Sequence, residues 1–350
     1  MPHVHRSSAD PQVPQDLRAA WDRLRMAPLW EFPNAQVNER ADEKPHIWRW
    51  SEIQPVLHET AKVEDPTSIE RRVLSLRSSR SRGPDEDMTC GVMNATYQTL
   101  LPGERARPHR HSMSALRFVV EGGPGVETVV DGKACTMEPG DLILTPGWTW
   151  HEHVHHGKEL ACWVDILDVQ LHRVIGTEAF QPGPARDVPL TFPDQMFHVP
   201  GVVPALEGAW HPEYSPMFRY PWGDVLRAMQ LVPRMDDGSK TVRYTNPLTG
   251  GSCLGLLDCY AIELRGGSNT VARRSSASSI FVVVEGTGVS TIGGAELRWG
   301  PHDVFTAPQN KSFFHRADSA GARLFCTSDR EIYRRLGLLR EVTEISAVES

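Results

Sequence analysis

The 350-residue sequence has no run of about 18 apolar residues, so no segment reads as a membrane span. It has no basic surplus. Its 37 Lys and Arg face 44 Asp and Glu, a net charge of −7, which argues against a nucleic-acid partner. The opening stretch MPHVHRSSADPQ has no apolar core of a secretion signal, which points to a cytoplasmic chain. Six cysteines are scattered without a single CxxC, so neither a zinc ribbon nor a thioredoxin-type pair is indicated. They read as reduced, buried thiols. With 40% hydrophobic and 23% charged residues, extended disorder is also disfavoured.

What is present is turn chemistry: 28 Gly and 27 Pro, with short apolar runs between them. That texture predicts a mainly β fold. Residues 1–95 read as a tail and a helical lead-in. Leu17, Trp21 and Leu24 suit a short amphipathic helix. Ser51 is the expected cap of a helix carrying Ile53, Val56 and Leu57, and Thr67 with Glu70 forms a capping box ahead of Val73 and Leu74. Residues 96–171 hold runs such as LRFVVEG, DLILTPG and ACWVDILDV, spaced as in a sandwich or barrel. Residues 172–240 read as a linker with loops and a helix around GDVLRAMQLV. Residues 241–350 read as a second β-domain ended by a helix at DREIYRRLGLLREV.

The two β-domains echo each other. Phe118-Val-Val-Glu121-Gly122 returns as Phe281-Val-Val-Val-Glu285-Gly286, Pro139-Gly140-Asp141 as Pro301-His302-Asp303, and Pro146 as Pro308. The offset stays at about 162–164 residues, which argues for a duplication.

Six of the fifteen histidines lie between 109 and 156. His109 and His111, at i and i+2, share one face of a strand. His151 returns after a Pro-Gly-Asp turn. Three neutral imidazoles on one wall would leave a metal with open positions, as catalytic rather than structural sites do. Imidazole suits Fe, Zn, Cu or Ni, so the donors alone leave the metal open. His153, two after His151, points the same way and is a candidate general acid or base, a ligand, or a partner of one. Arg117, six after His111, would share the inward face of an unbroken strand, there to hold a substrate carboxylate or to stabilise a bound oxygen anion as a catalytic residue. His155 and His156 read as surface residues, and Trp148 and Trp150 as barrel packing.

The first repeat resembles the cupins, whose motifs are G-x5-H-x-H-x3-4-E-x6-G and G-x5-P-x-G-x2-H-x3-N. Gly103, His109, His111 and Gly122 match the first, and Gly140, Pro146 and His151 the second. Ala115 and Leu116 stand where the motif has Glu, and Trp148 replaces its second Gly. The segments Pro28-Leu-Trp-Glu31, Pro45-His-Ile-Trp-Arg-Trp50, Arg71-Arg72-Val-Leu74, HRHSMSALRFVVEG and PGDLILTPGWTWHEH are similar to gentisate 1,2-dioxygenases. They are also similar to the related salicylate and 1-hydroxy-2-naphthoate enzymes. The resemblance implies a bicupin, two barrel or jelly-roll domains behind a helical N-terminal segment. It implies one Fe(II) per chain, held by His109, His111 and His151. The implied reaction is O2-dependent opening of a 2-hydroxybenzoate between its carboxyl- and hydroxyl-bearing carbons, in a homotetramer.

The same resemblance implies that Gln98 hydrogen-bonds the substrate and that Arg72 contacts its carboxylate, with Arg71, Arg77 and Arg80 as rivals. Asn94 and Thr96 stand where relatives carry Trp and Gly. That change opens the pocket and points away from gentisate towards a 5-substituted salicylate, such as a nitro or halogen derivative. In the second repeat Arg273 and Ser275 stand where the first has His109 and His111. Only His315 lies near the third position, so that half is expected to hold no metal. A non-catalytic acid-binding cupin, or a Zn or Mn isomerase or decarboxylase, is the alternative.

Overall fold

The structure is a computed structural model and describes residues 13–28, 43–63, 66–69, 71–79, 88–183, 192–199, 201–205 and 213–344. The chain forms two units, Met1–Asp42 and Glu43–Ser350. In the first, α1 (Gln15–Arg23) is the helix expected at Leu17 and Trp21, and it buries none of its residues. Leu29, Trp30, Glu31 and Arg80, all named above, lie outside the described residues.

The second unit begins with β1 (Ile47–Trp48), α2 (Trp50–Val63), α3 (Pro66–Ile69) and β2 (Val73–Leu76). Helix α2 buries Leu57 and Ala61, one turn apart, while Val56 is exposed, so its inner stripe is narrower than expected. Its N-terminus is capped from a distance: Trp50 N–H donates to Asp303 Oδ1 at 2.7 Å. Ser51 is already helical and exposed. Val73 and Leu74, expected to follow a capping box into a helix, are strand residues. Their β2 pairs with the next strand, and pairing outweighs local propensity.

The first barrel follows: β3 (Asn94–Leu100), β4 (Arg105–His111), β5 (Ala115–Glu121), β6 (Val126–Val130), β7 (Lys133–Thr136), β8 (Leu142–Thr145), β9 (His151–His155) and β10 (Ala161–Leu167). After α4 (Val169–Ile175) come β11 (Phe180–Pro182) and β12 (Arg219–Tyr220), then α5 (Trp222–Leu231). Two sheets result, ordered β12-β8-β5-β10-β3-β2 and β11-β4-β9-β6-β7. The first barrel thus recruits β2, β11 and β12 from beyond residues 96–171.

The second barrel is one sheet built from β13 (Ser239–Arg243), β14 (Asp258–Leu264), β15 (Ala272–Ser275), β16 (Ser279–Ile292), β17 (Ala295–Trp299), β18 (Val304–Ala307) and β19 (Ser312–Ser328), with β1 added beside β18. The closing helix is short. It is α6 (Arg330–Arg335), stopped at Gly337 (φ +70°), and residues expected to continue it form β20 (Glu341–Glu344) beside β15.

Strands β5, β8 and β10 are buried on both faces, because each face has a core to meet. Val119, Ile143 and Trp163 fill the first barrel. Phe118, Leu144 and Val164 turn outward and pack against Ile280, Val282 and Phe325 of the second. Phe118 stacks on Phe325 at 4.3 Å between centroids. The duplicated domains share this apolar seam.

Candidate metal centre

Strands β4 and β9 are antiparallel neighbours, and His109 lies directly opposite His151. Alternation along β4 turns His111 to the same side as His109. The loop ahead of β9 fixes the far end. Trp148 adopts φ +63°, the left-handed conformation its motif normally gives to Gly, and its N–H donates to His111 O at 2.7 Å.

The three imidazoles are 1–3% exposed, and their ligand atoms all lie within 4.8 Å of one another. Each Nδ1 is tied to a backbone carbonyl: His109 to Arg107 O at 2.9 Å, His111 to Met113 O at 2.8 Å, His151 to Thr149 O at 3.0 Å. A carbonyl only accepts, so Nδ1 carries the proton and Nε2 presents a lone pair. All three Nε2 atoms are buried without a hydrogen-bond partner among the described residues. Burial, then the charge of Arg71, lowers His109 to about 2 and His111 to about 4. Burial, then His109, holds His151 well below the usual range. The set is neutral at pH 7, with three converging lone pairs and no protein donor for them. It fits a divalent cation and little else.

Arg117 faces the same interior, by a different route from the one expected. The strand ends at His111 and the chain bends through Ser112–Ser114, so His111 and Arg117 lie on different sheets, and Arg117 points inward through the alternation of β5. Its Nη1 donates to Thr145 Oγ1 at 2.5 Å and its Nε lies 3.1 Å from Asp165 Oδ1. Gln98 and Asn94 share the inward face of β3, because β10 places Trp163 opposite Gln98 and Leu167 opposite Asn94. Asn94 Oδ1 accepts from Gln170 Nε2 at 3.2 Å.

Arg72 does not join them. Its guanidinium is engaged by Glu104 and Thr99, its Nη1 donating to Glu104 Oε1 at 3.1 Å and its Nε to Thr99 Oγ1 at 3.1 Å. Those partners hold it on the face of β3 opposite Gln98. Arg71, one residue earlier, does reach the site: its charge, together with that of Arg117, acts on His109, His111 and His153. It lies over the Phe180 ring at 5.5 Å, and Phe180 stacks on His109 at 5.4 Å. Phe180 gave no sequence signal, since it sits in the presumed linker and reaches the site only through β11.

His153 stands apart from the ligand cluster, its ring 6.5 Å from His151. Its Nδ1 is 2.9 Å from Thr128 Oγ1, and burial, then Arg117, holds it well below the usual imidazole range. Held so, it faces the barrel interior as a neutral imidazole. His155 is buried rather than superficial, its Nε2 2.6 Å from Glu159 O. Trp148 is half exposed, and with Trp150 it flanks the Arg110 guanidinium instead of packing the barrel.

A Cupin domain matches residues 96–167. The chain is 33% identical over 333 residues to the 5-aminosalicylate 1,2-dioxygenase of Comamonas sp, covering 91% of this chain and 87% of that one. It is 33% identical over 344 residues to gentisate 1,2 dioxygenase 1 of Aquipseudomonas alcaligenes, covering 95% and 97%. The crystal structure of salicylate 1,2-dioxygenase from Pseudoaminobacter salicylatoxidans with gentisate superposes with a TM-score of 0.86, at 30% identity and 96% coverage of both chains. Fold and site define a bicupin oxidoreductase with a three-histidine metal cradle. The chain belongs to the gentisate and salicylate 1,2-dioxygenase family of ring-cleaving enzymes.

Proposed function

We propose that the chain opens a 2-hydroxybenzoate between its carboxyl- and hydroxyl-bearing carbons, both O2 atoms entering the product, with one Fe(II) per chain held by Nε2 of His109, His111 and His151. The observation that carries this is the convergence of three buried, partnerless Nε2 atoms with their tautomers set by carbonyls. Iron(II), when bound there, supplies the redox chemistry that O2 needs and a charge matched to a chelating carboxylate and phenolate.

The chain's own groups bind and orient the substrate. Neutral ligands leave the site cationic, and Arg71 and Arg117 add to that field, which favours an anionic substrate. Arg71, which lies over Phe180 beside His109, is the proposed carboxylate anchor, with Arg117 held at the same interior by Asp165. Gln98 offers a hydrogen bond to a ring hydroxyl. His153 lines the interior as a neutral polar group. Trp163 and Val119 close the barrel behind them and exclude water. Asn94 and Thr96 line the inward face of β3 with little bulk, which suits a polar substituent on the ring. We infer a 5-substituted salicylate such as 5-nitrosalicylate, and the relative acting on 5-aminosalicylate supports that class. A cytoplasmic homotetramer is proposed from sequence and family resemblance, and light scattering checks the assembly.

The test is metal analysis with an oxygen electrode and a panel of gentisate, salicylate, 5-nitrosalicylate and 1-hydroxy-2-naphthoate. Iron with substrate-triggered O2 loss, fastest for a 5-substituted salicylate, is expected. Zinc or manganese without O2 loss would favour an isomerase or decarboxylase instead.

A further inference from the structure

The second barrel repeats the chamber of the first with other residues in it. In the first, His109 lies opposite His151 across β4 and β9. In the second, Arg273 lies opposite Phe313 across β15 and β19. Ser275, two residues after Arg273, takes the place of His111. Arg, Ser and Phe have replaced the three imidazoles, and among the described residues only the first barrel gathers a metal-ligating cluster.

One imidazole is kept. His315 lies opposite Ser290, as His153 lies opposite Thr128. Its Nδ1 is 2.7 Å from the Ser290 hydroxyl. That hydroxyl accepts from Trp299 Nε1 at 2.8 Å and keeps its own proton to give to His315 Nδ1. In that tautomer Nε2 carries the ring proton. It is buried in a side chain 4% exposed, and it has no partner among the described residues.

This donor lines a cavity of about 420 Å³, within the range of small-molecule pockets. Phe281 and Phe313 form an apolar wall, their rings 4.9 and 5.5 Å from His315. Ser275 and Ser279 add hydroxyls. The other charges are already matched. Arg243 pairs with Asp258 at 2.7 Å, and Arg330 donates to Glu341 at 2.7 Å. Asp237 accepts from Val271 N–H and Ser239. Arg273 alone among the cavity's arginines has neither an ion-pair nor a hydrogen-bond partner among the described residues, apart from the through-space influence of Asp237.

We propose that the second barrel binds a small aromatic carboxylate, with Arg273 holding the carboxylate, His315 Nε2–H donating to it or to an adjacent ring oxygen, and Phe281 and Phe313 packing the ring. Burial lowers His315 to about 3, so the donor stays neutral in use. With no metal-ligating cluster beside it, the ligand is bound and not turned over. The inference rests on this lining and not on the reaction proposed for the first barrel.

Fluorine NMR of the full-length protein with 5-fluorosalicylate under argon tests it. The expected result is two bound signals per chain. Arg273→Ala should weaken one of them at least tenfold, and Arg273→Lys should restore part of it. Both variants should leave the other signal and substrate-dependent O2 uptake unchanged. His111→Ala should disturb only that other signal. Arg273 is exposed and unpaired, so its variants fold. A single bound signal in the wild type, or two signals indifferent to Arg273→Ala, would overturn the proposal. Loss of O2 uptake in the wild type would instead strike the first-barrel reading alone.

Discussion

The backbone N–H of Trp222 donates to Asp141 Oδ1 at 2.8 Å, and the second repeat answers with Trp50 and Asp303 at 2.7 Å. Asp141 and Asp303 are the acids of the two duplicated turns, and each starts a helix belonging to the other half's lead-in. The segment β12–α5 precedes the second barrel in sequence yet pairs with β8 of the first. The segment β1–α2 precedes the first barrel yet pairs with β18 of the second. The halves are clasped reciprocally.

Asp303→Ala removes the cap on α2. A lost cap costs about 1–2 kcal/mol, so the urea midpoint should fall with little change in its slope. Metal content should stay at the wild-type value, because α2 supplies none of the histidines. A drop in bound metal would show that the clasp reaches the site.

The two adjacent arginines should separate cleanly. Arg71→Met should raise KM for an aromatic carboxylate by about tenfold or more, since a charge-assisted hydrogen bond contributes about 1.5–3 kcal/mol. Arg72→Met should leave KM alone and cost about 3 kcal/mol in stability, because Glu104 loses a buried partner. Steady-state kinetics and denaturation of both variants decide it. The reverse pattern would reinstate Arg72 as the anchor.

His111→Ala should abolish metal retention and substrate-dependent O2 uptake together, with the circular dichroism spectrum intact. The ring contributes a ligand and one carbonyl hydrogen bond, not core volume. Metal at one ion per chain in this variant would exclude the triad as the site.

Acid sensitivity should depend on His315. Its folded value, about 3, lies below the ordinary 6.5. Between those values the unfolded chain binds a proton that the native state refuses, so stability falls as pH drops through the window and is unaffected above it. The slope is at most about 1.4 kcal/mol per pH unit. His315→Gln should flatten the acid limb of denaturation midpoints measured from pH 7 to pH 4. An unchanged limb would mean that the ring is already protonated in the folded state.

The sequence by itself determined the β-rich class, the duplication, and which three histidines share a wall. Alternation along a strand is a local rule, and the spacing of His109 and His111 expresses it without reference to the rest of the chain, whereas His151 joins them through the pairing of β4 with β9. Helix ends were less legible, because α2 is capped by Asp303 and α6 yields to β20, both partners distant in sequence. Tertiary structure alone decided that Arg71 and not Arg72 faces the site, that Phe180 stacks on His109, and that His153 is buried neutral. Each depends on strand register and on the low dielectric of a closed barrel, and neither is encoded in any one segment.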